Sequence, residues 1–417
     1  MPSPPFDVKR LISNDKEMKN LVTTTVVGQN GTQKVLRYDM HALVKFSALL
    51  TCVTKGTVFT MDRTALINVF IMLLIGFGVC CLTLLFSVNN IEQLQKLDTK
   101  PLEALAKQIN SFVPFCLALY VSLTLTRWWA LRTTALGKVF DAFANVTMII
   151  SSELCDKKWA EVRAQIAKYG FASIELLVQA AREHEAMERL TEADLLTQVE
   201  IDALSRSPIL WQRPMILWAW IMRICVSAMD HHKTPAPRTG AVMAQCVKAR
   251  EGMATINTYL DTQLPFAYVH LITLLVNVQN IMISVKSGIL FAMAVPSFQL
   301  FQMIQQVVTL LLVCFIYQAL LQISYMIMDP FGDDVLDFPI KAYQTYVAAT
   351  VDAMLEAQPE CPVVAEDGSL HRPRPKKVRQ HLEQPAQSPD QPAQSPDQPV
   401  QPQAEEGPNL EGAVEKL

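Results

Sequence analysis

Charge is scarce in this 417-residue chain: Asp, Glu, Lys and Arg together make up 18%, against 51% hydrophobic residues. A soluble domain carries about a quarter charged residues, so much of this surface faces something other than water. The formal net charge is only −3, and no Lys/Arg-rich block resembles a nucleic-acid patch, which excludes nucleic acid as the expected partner. The nine cysteines form no CxxC pair, and Cys80 and Cys81 are neighbours inside an apolar run. Metal-ligand spacing is therefore lacking, and the cysteines read as small buried thiols in a reducing compartment. The stretch MPSPPFDVKRLISNDKEMKN has no hydrophobic core segment and carries Asp7, Asp15 and Glu17, so neither a secretory signal nor a transit peptide is expected. No HExxH pair, no GxSxG and no phosphate-cradling loop occurs, so the chain bears no enzyme signature.

Long apolar runs are what the chain does have. Thr64 to Ile91 is free of Asp, Glu, Lys and Arg; its centre reads INVFIMLLIGFGVCCLTLLF. At about 1.5 Å per residue such a helix crosses a hydrocarbon core of about 30 Å. A second run, Gln108 to Thr126, ends at Arg127, Trp128 and Trp129. Trp favours the membrane interface there, with Arg reaching toward water. A third runs from Thr262 to Val285 behind Pro265, which suits a first helical turn. Lys286-Ser287-Gly288 then reads as a turn, followed by a short apolar segment and a last span over roughly Val307 to Met328.

Between the second and third runs, about 130 to 261, helical spacing of apolar and charged residues predicts a soluble helical layer, Pro214 to Met222 being a buried helix within it. No alternating strand pattern of any length is seen, so the fold reads as all-α. Lys and Arg cluster on the side of that layer, at Lys45, Lys55, Arg63, Arg127, Arg132 and Lys138 among others, which puts it and both termini in the cytosol. Beyond Ala357 the composition turns to Pro, Gln, Ser and Glu, and QPAQSPD occurs twice between Gln384 and Asp397. Such a tail cannot bury enough apolar surface to fold, and the basic stretch 371–381 ahead of it reads as a solvated linker that can touch anionic lipid.

Two local features carry chemistry. Directly after the last run, DPFGDDVLDF (329–338) brings four carboxylates to a turn forced by Pro330 and Gly332. Clustered carboxylate and carbonyl oxygens suit Ca²⁺, though the spacing is not that of an EF-hand and a solvated acidic turn is the plainer account. In the second run, Ser111, Phe115, Leu119 and Leu123 recur every four residues and share one helix face. Several such helices around an axis would form an apolar constriction; a single one reads as ordinary packing.

Three segments, LYVSLTLTRWW (119–129), YLDTQLPFAY (259–268) and DPFGDDVLDF (329–338), with a weaker match at Lys55-Gly56-Thr57, resemble the bestrophin family in order and spacing. The resemblance covers roughly residues 38 to 340. It implies a homopentamer in the lipid bilayer with a central ion pathway, four spans per subunit and a large cytosolic helical portion. The family's neck positions fall on Ser111, Phe115 and Leu119, where Leu119 replaces a Phe and Ser111 an aliphatic residue. Its Ca²⁺ clasp falls on the carboxylates of Asp334 and Asp337 and the carbonyls of Met326 and Asp329, with a further carbonyl near Met40–Leu43. Its second constriction falls near Pro237–Val242.

The expected organisation is a tail over 1–37, a channel domain over 38–340 with spans near 64–88, 110–129, 264–285 and 307–328, a helix over 341–357 and a disordered tail over 358–417. The expected function is passive conduction of chloride, and of bicarbonate, through an apolar neck gated by regulatory Ca²⁺ at the plasma membrane. The alternatives are a Ca²⁺-insensitive, voltage-dependent channel of an organellar membrane of the thylakoid kind and, from another class, a membrane scaffold whose acidic turn and tail bind partners.

Overall fold

The computed structural model describes residues 23–27, 33–38, 57, 63–87, 99–357, 362–365 and 367–371. Residues 372–417 of the tail expected over 358–417, with its QPAQSPD repeat, and Met40–Leu43 and Lys55-Gly56 lie outside the described residues.

The first described element is an antiparallel hairpin, β1 (Thr23–Val27) against β2 (Gln33–Tyr38), bulged between Thr24 and Thr25. Its strands are rich in β-branched residues, which favour the pleated conformation. The hairpin was not anticipated: five or six residues are too few for alternation to stand out. Four long helices follow the apolar runs: α1 (Arg63–Ser87), α2 (Lys100–Ala130), α9 (Phe266–Ala294) and α10 (Leu300–Met326). Each is long and apolar enough to cross a membrane. Their shared core is built from Val69, Val113, Leu117, Val276, Leu310 and Cys314 with their neighbours.

Polar side chains tie these helices together. Asn110 Oδ1 accepts from Gln279 Nε2 at 3.0 Å and from the Tyr317 hydroxyl at 2.9 Å, joining α2, α9 and α10. Gln318 accepts from Asn68 at 3.2 Å and donates to Asn277 at 3.1 Å. Inside a bilayer such interhelical bonds contribute about 0.6 kcal/mol each.

Lys286-Ser287-Gly288 is not a turn. It lies within α9, and the chain reverses only over 295–299, where Phe298 takes a φ of 47°. Gly288 is there for close approach: a Cβ on it would come within 2.4 Å of the Gly76 carbonyl oxygen on α1 and 3.1 Å of Val79 Cβ. Backbone cannot yield as a flexible side chain can. Gly288→Ala is expected to cost about 1–3 kcal/mol through overpacking, read as a lower unfolding temperature of the detergent-solubilised protein. Gly78→Ala, where nothing lies within 4 Å, is expected to be silent.

α2 does not stop at its tryptophans. A π-helical turn (Leu131–Leu136) carries it into α3 (Gly137–Glu153), making one continuous helix of 54 residues. α3 then packs with α4 (Ala160–Ala181), α7 (Gln212–His231), α8 (Ala236–Asp261) and α11 (Ile340–Ala357) around a second core centred on Phe143, Trp218, Met253 and Phe331. The short helices α5 (Glu188–Glu192) and α6 (Gln198–Ser205) bridge α4 to α7, α6 starting from a Thr197–Glu200 capping box. The body is all-helical, as expected, with the hairpin added at its edge.

A separate small unit holds β3 (Val363–Val364) paired with β4 (Leu370–His371). Gly368 turns that hairpin at a φ of +79°, so part of the segment expected to lack structure is folded.

Candidate functional site

α2 has two faces. Ala106, Val113, Leu117, Tyr120 and Thr124 are buried against the other three long helices. Ser111, Phe115, Leu119 and Leu123 lie about half a turn away and are exposed, Phe115 by 63% and Leu119 by 52%. The open faces of α1 and α2 differ in kind. Along α1 the exposed positions from Leu66 to Phe86 are Leu, Ile and Phe throughout. Along α2 the aromatic and aliphatic side chains alternate with exposed Ser111, Ser122 and Thr126. Two of those hydroxyls donate to their own helix, Ser111 to Gln108 O and Thr126 to Ser122 O, both at 2.8 Å.

At the far end of this helix, the interfacial trio is divided. Trp129 is exposed, as an interface residue should be. Arg127 does not reach into water; it is half-buried, its guanidinium 5.8 Å above the Tyr259 ring. Trp128 packs inward at 5.1 Å from the Phe338 ring, and Phe338 meets Phe331 at 5.6 Å. Since Phe331 and Phe338 bracket the acidic turn, the turn is wedged against the end of α2. Tyr120, on the packed face, also donates to Met328 Sδ at 3.6 Å, just ahead of the turn.

The turn itself folds around Asp337, which is 2% exposed. Asp337 Oδ2 accepts the Asp334 amide at 2.5 Å, and the Phe338 amide donates to Pro330 O at 2.8 Å. Asp329 Oδ1 accepts the Phe331 amide at 3.3 Å. A Cβ on Gly332 would lie 2.9 Å from Asp337 Oδ2, so a side chain there would push that carboxylate aside. Met326, the last residue of α10, is buried beneath the turn's start. Asp337, Asp333 and Asp334 each lie near enough to Lys34 to support its charge.

Two cations that no local pattern marks complete the site. Lys34 of β2, buried with 1% exposure, donates from Nζ to Gly332 O at 2.7 Å and stands 3.9 Å from Asp337 Oδ2. Arg182, which caps α4, donates to the same carbonyl at 3.1 Å and pairs with Asp333 at 3.4 Å. Burial pushes the Asp337 carboxyl up to about 7, with the Lys34 charge and the Asp334 amide pulling it back. Burial likewise lowers the Lys34 ammonium, while Asp337 supports its charge and Arg182 opposes it. Asp337 Oδ1 is buried with no hydrogen-bond partner.

Ca²⁺ wants six to eight oxygen ligands at about 2.3–2.6 Å and no cation among them. Here an ammonium and a guanidinium share the carbonyl at the centre of the turn. With Lys34 in this place the residues do not fit a bound Ca²⁺. At the second expected constriction, Val242 is fully buried in the helical core, while Arg238 is exposed and its Nη1 donates to both carboxylate oxygens of Glu153 at 3.0 Å.

No curated protein matches the chain. Among solved structures, three of a bacterial bestrophin homolog from Klebsiella pneumoniae share its fold. One matches at a TM-score of 0.58 and 14% identity over 71% of this chain and 99% of the other. A second gives 0.56 and 15% over 69% and 98%, and a third 0.55 and 16% over the same shares. A family model described as "Bestrophin, RFP-TM, chloride channel" matches residues 11–344, which takes in the hairpin bearing Lys34 as well as the helical body. The chain belongs to the bestrophin family of membrane anion channels.

Proposed function

We propose that the chain is one subunit of a homopentamer that conducts chloride, and bicarbonate with it, through a neck formed by five copies of α2. The observation that carries this is the mixed open face of that helix. A face meant for lipid gains nothing from hydroxyls, whereas an anion path needs an apolar constriction with weak donors beside it and no tight binding site. Phe115 and Leu119 supply the constriction, Phe115 also offering the positive edge of its ring. Ser111, Ser122 and Thr126 supply hydroxyls, those of Ser111 and Thr126 able to turn from their own helix carbonyls to a passing ion. The Lys/Arg excess on the side of the helical layer supports a cytosolic position for that layer and the N-terminal hairpin, with the plasma membrane as the proposed location.

The test is to reconstitute the purified protein in planar bilayers under a KCl gradient. The current is expected to reverse near the chloride potential, and particle images to show five-fold order around a central hole. Reversal at the potassium potential, or a monomer in detergent, would falsify the proposal.

A further inference from the structure

We infer that the Lys34 ammonium is a tethered cation standing in the place of a regulatory divalent ion, so that the acidic turn is held closed on α2 without calcium. This rests on the channel reading above and concerns how that channel is regulated.

The Lys34 ammonium stands 3.9 Å from Asp337, Asp333 pairs with Arg182 at 3.4 Å, and Asp334 donates its amide to Asp337. Left alone these carboxylates repel one another, and a cation must sit among them for the turn to stay folded. The structure supplies it from a strand 298 positions away in sequence: Lys34 reaches the Gly332 carbonyl at 2.7 Å with its side chain 1% exposed. Arg182 steadies the outer side through Asp333 and the same carbonyl. Such a tethered charge is always at hand. Its effective concentration is on the order of millimolar or more, above the micromolar calcium to which cytosolic sensors respond.

What Lys34 holds in place bears on the neck. Asp337 is followed by Phe338, whose ring meets Trp128 on α2, nine residues beyond Leu119. A turn fixed by a built-in cation therefore fixes the cytosolic end of the pore helix by direct packing.

The experiment compares the full chain with Lys34→Met and, as a charge-preserving control, Lys34→Arg. Two readouts are used: chloride current in bilayers with a calcium chelator or with added calcium, and binding of radioactive calcium to the detergent-solubilised protein. The unaltered protein is expected to bind no calcium at the turn and to carry the same current in both conditions. Lys34→Met is expected to gain saturable calcium binding that a further Asp337→Ala removes. Its current is expected to fall about tenfold in chelator and return with calcium, the size of a modest shift in a two-state equilibrium. Lys34→Arg should remain indifferent to calcium. Calcium binding by the unaltered protein that Asp337→Ala abolishes would overturn the inference, and so would a folded Lys34→Met that binds none. If Lys34→Met does not assemble, binding to the unaltered protein decides the matter. Absence of any anion current in every condition would defeat the channel reading, leaving the binding result to judge Lys34 by itself.

Discussion

Asp337→Ala is expected to lower folding stability by about 3–5 kcal/mol, the cost of leaving a buried charge without its partner. The side chains of Lys34 and Asp337 are each 1% exposed, so water cannot take over when the carboxylate goes. The substitution also strips the Asp334 amide of its 2.5 Å acceptor. Lys34→Met made in the same chain is expected to recover most of the loss, because Met replaces the lysine stem with apolar volume and removes the stranded charge. The coupling between the two changes should reach about 2 kcal/mol or more, well beyond the few tenths expected of independent sites. Thermal unfolding of the detergent-solubilised protein reads the cycle, and simple addition of the two single effects would show that Lys34 does not answer to Asp337. A contrast lies in the same protein: Lys168 and Asp194 pair at 2.6 Å with 35% and 75% exposure, and Asp194→Ala there should change stability by less than about 1 kcal/mol.

Why the first pair escapes a reading of the sequence, while the spans do not, is a matter of range. The run that ends α1 is visible because a helix crossing a bilayer must be apolar over its whole length. The expected 64–88 and the observed Arg63–Ser87 differ by a residue at each end. Gly288 misled for a physical reason. Next to a lysine and a serine, a glycine looks like a turn, yet here its bare Cα lets α9 touch the α1 backbone. Arg127-Trp128-Trp129 looked like the rim of a span, and Trp129 is one. Trp128 instead faces a ring 210 positions further on, which composition near residue 128 cannot reveal. The acidic turn was legible as a place where a cation belongs. That the cation is Lys34 was not, since a single lysine in a six-residue strand looks like any exposed strand lysine until the fold buries it.

The open face of α2 admits a decisive test at one position. Phe115→Glu is expected to cut the chloride current at least about 100-fold and to move the reversal potential toward that of the cation. Five carboxylates would ring the axis, and one at about 7 Å costs a passing chloride about 2 kcal/mol at an effective dielectric of 20. Five together exceed the roughly 2.7 kcal/mol that a 100-fold drop demands, even after some of them take up protons to relieve their mutual repulsion. Phe115→Gln separates charge from size. A neutral polar side chain wets the constriction, so the current should rise with chloride selectivity kept. Were Phe115 turned to lipid, neither outcome would follow: a carboxylate there would weaken assembly, and whatever channel survived would keep its selectivity. Leu117→Glu, two residues along on the packed face and 1% exposed, shows what that failure looks like, since it should abolish assembly outright. The two faces of one helix thus give opposite results under the same substitution, and only a pore-lining Phe115 turns an anion path into a cation path.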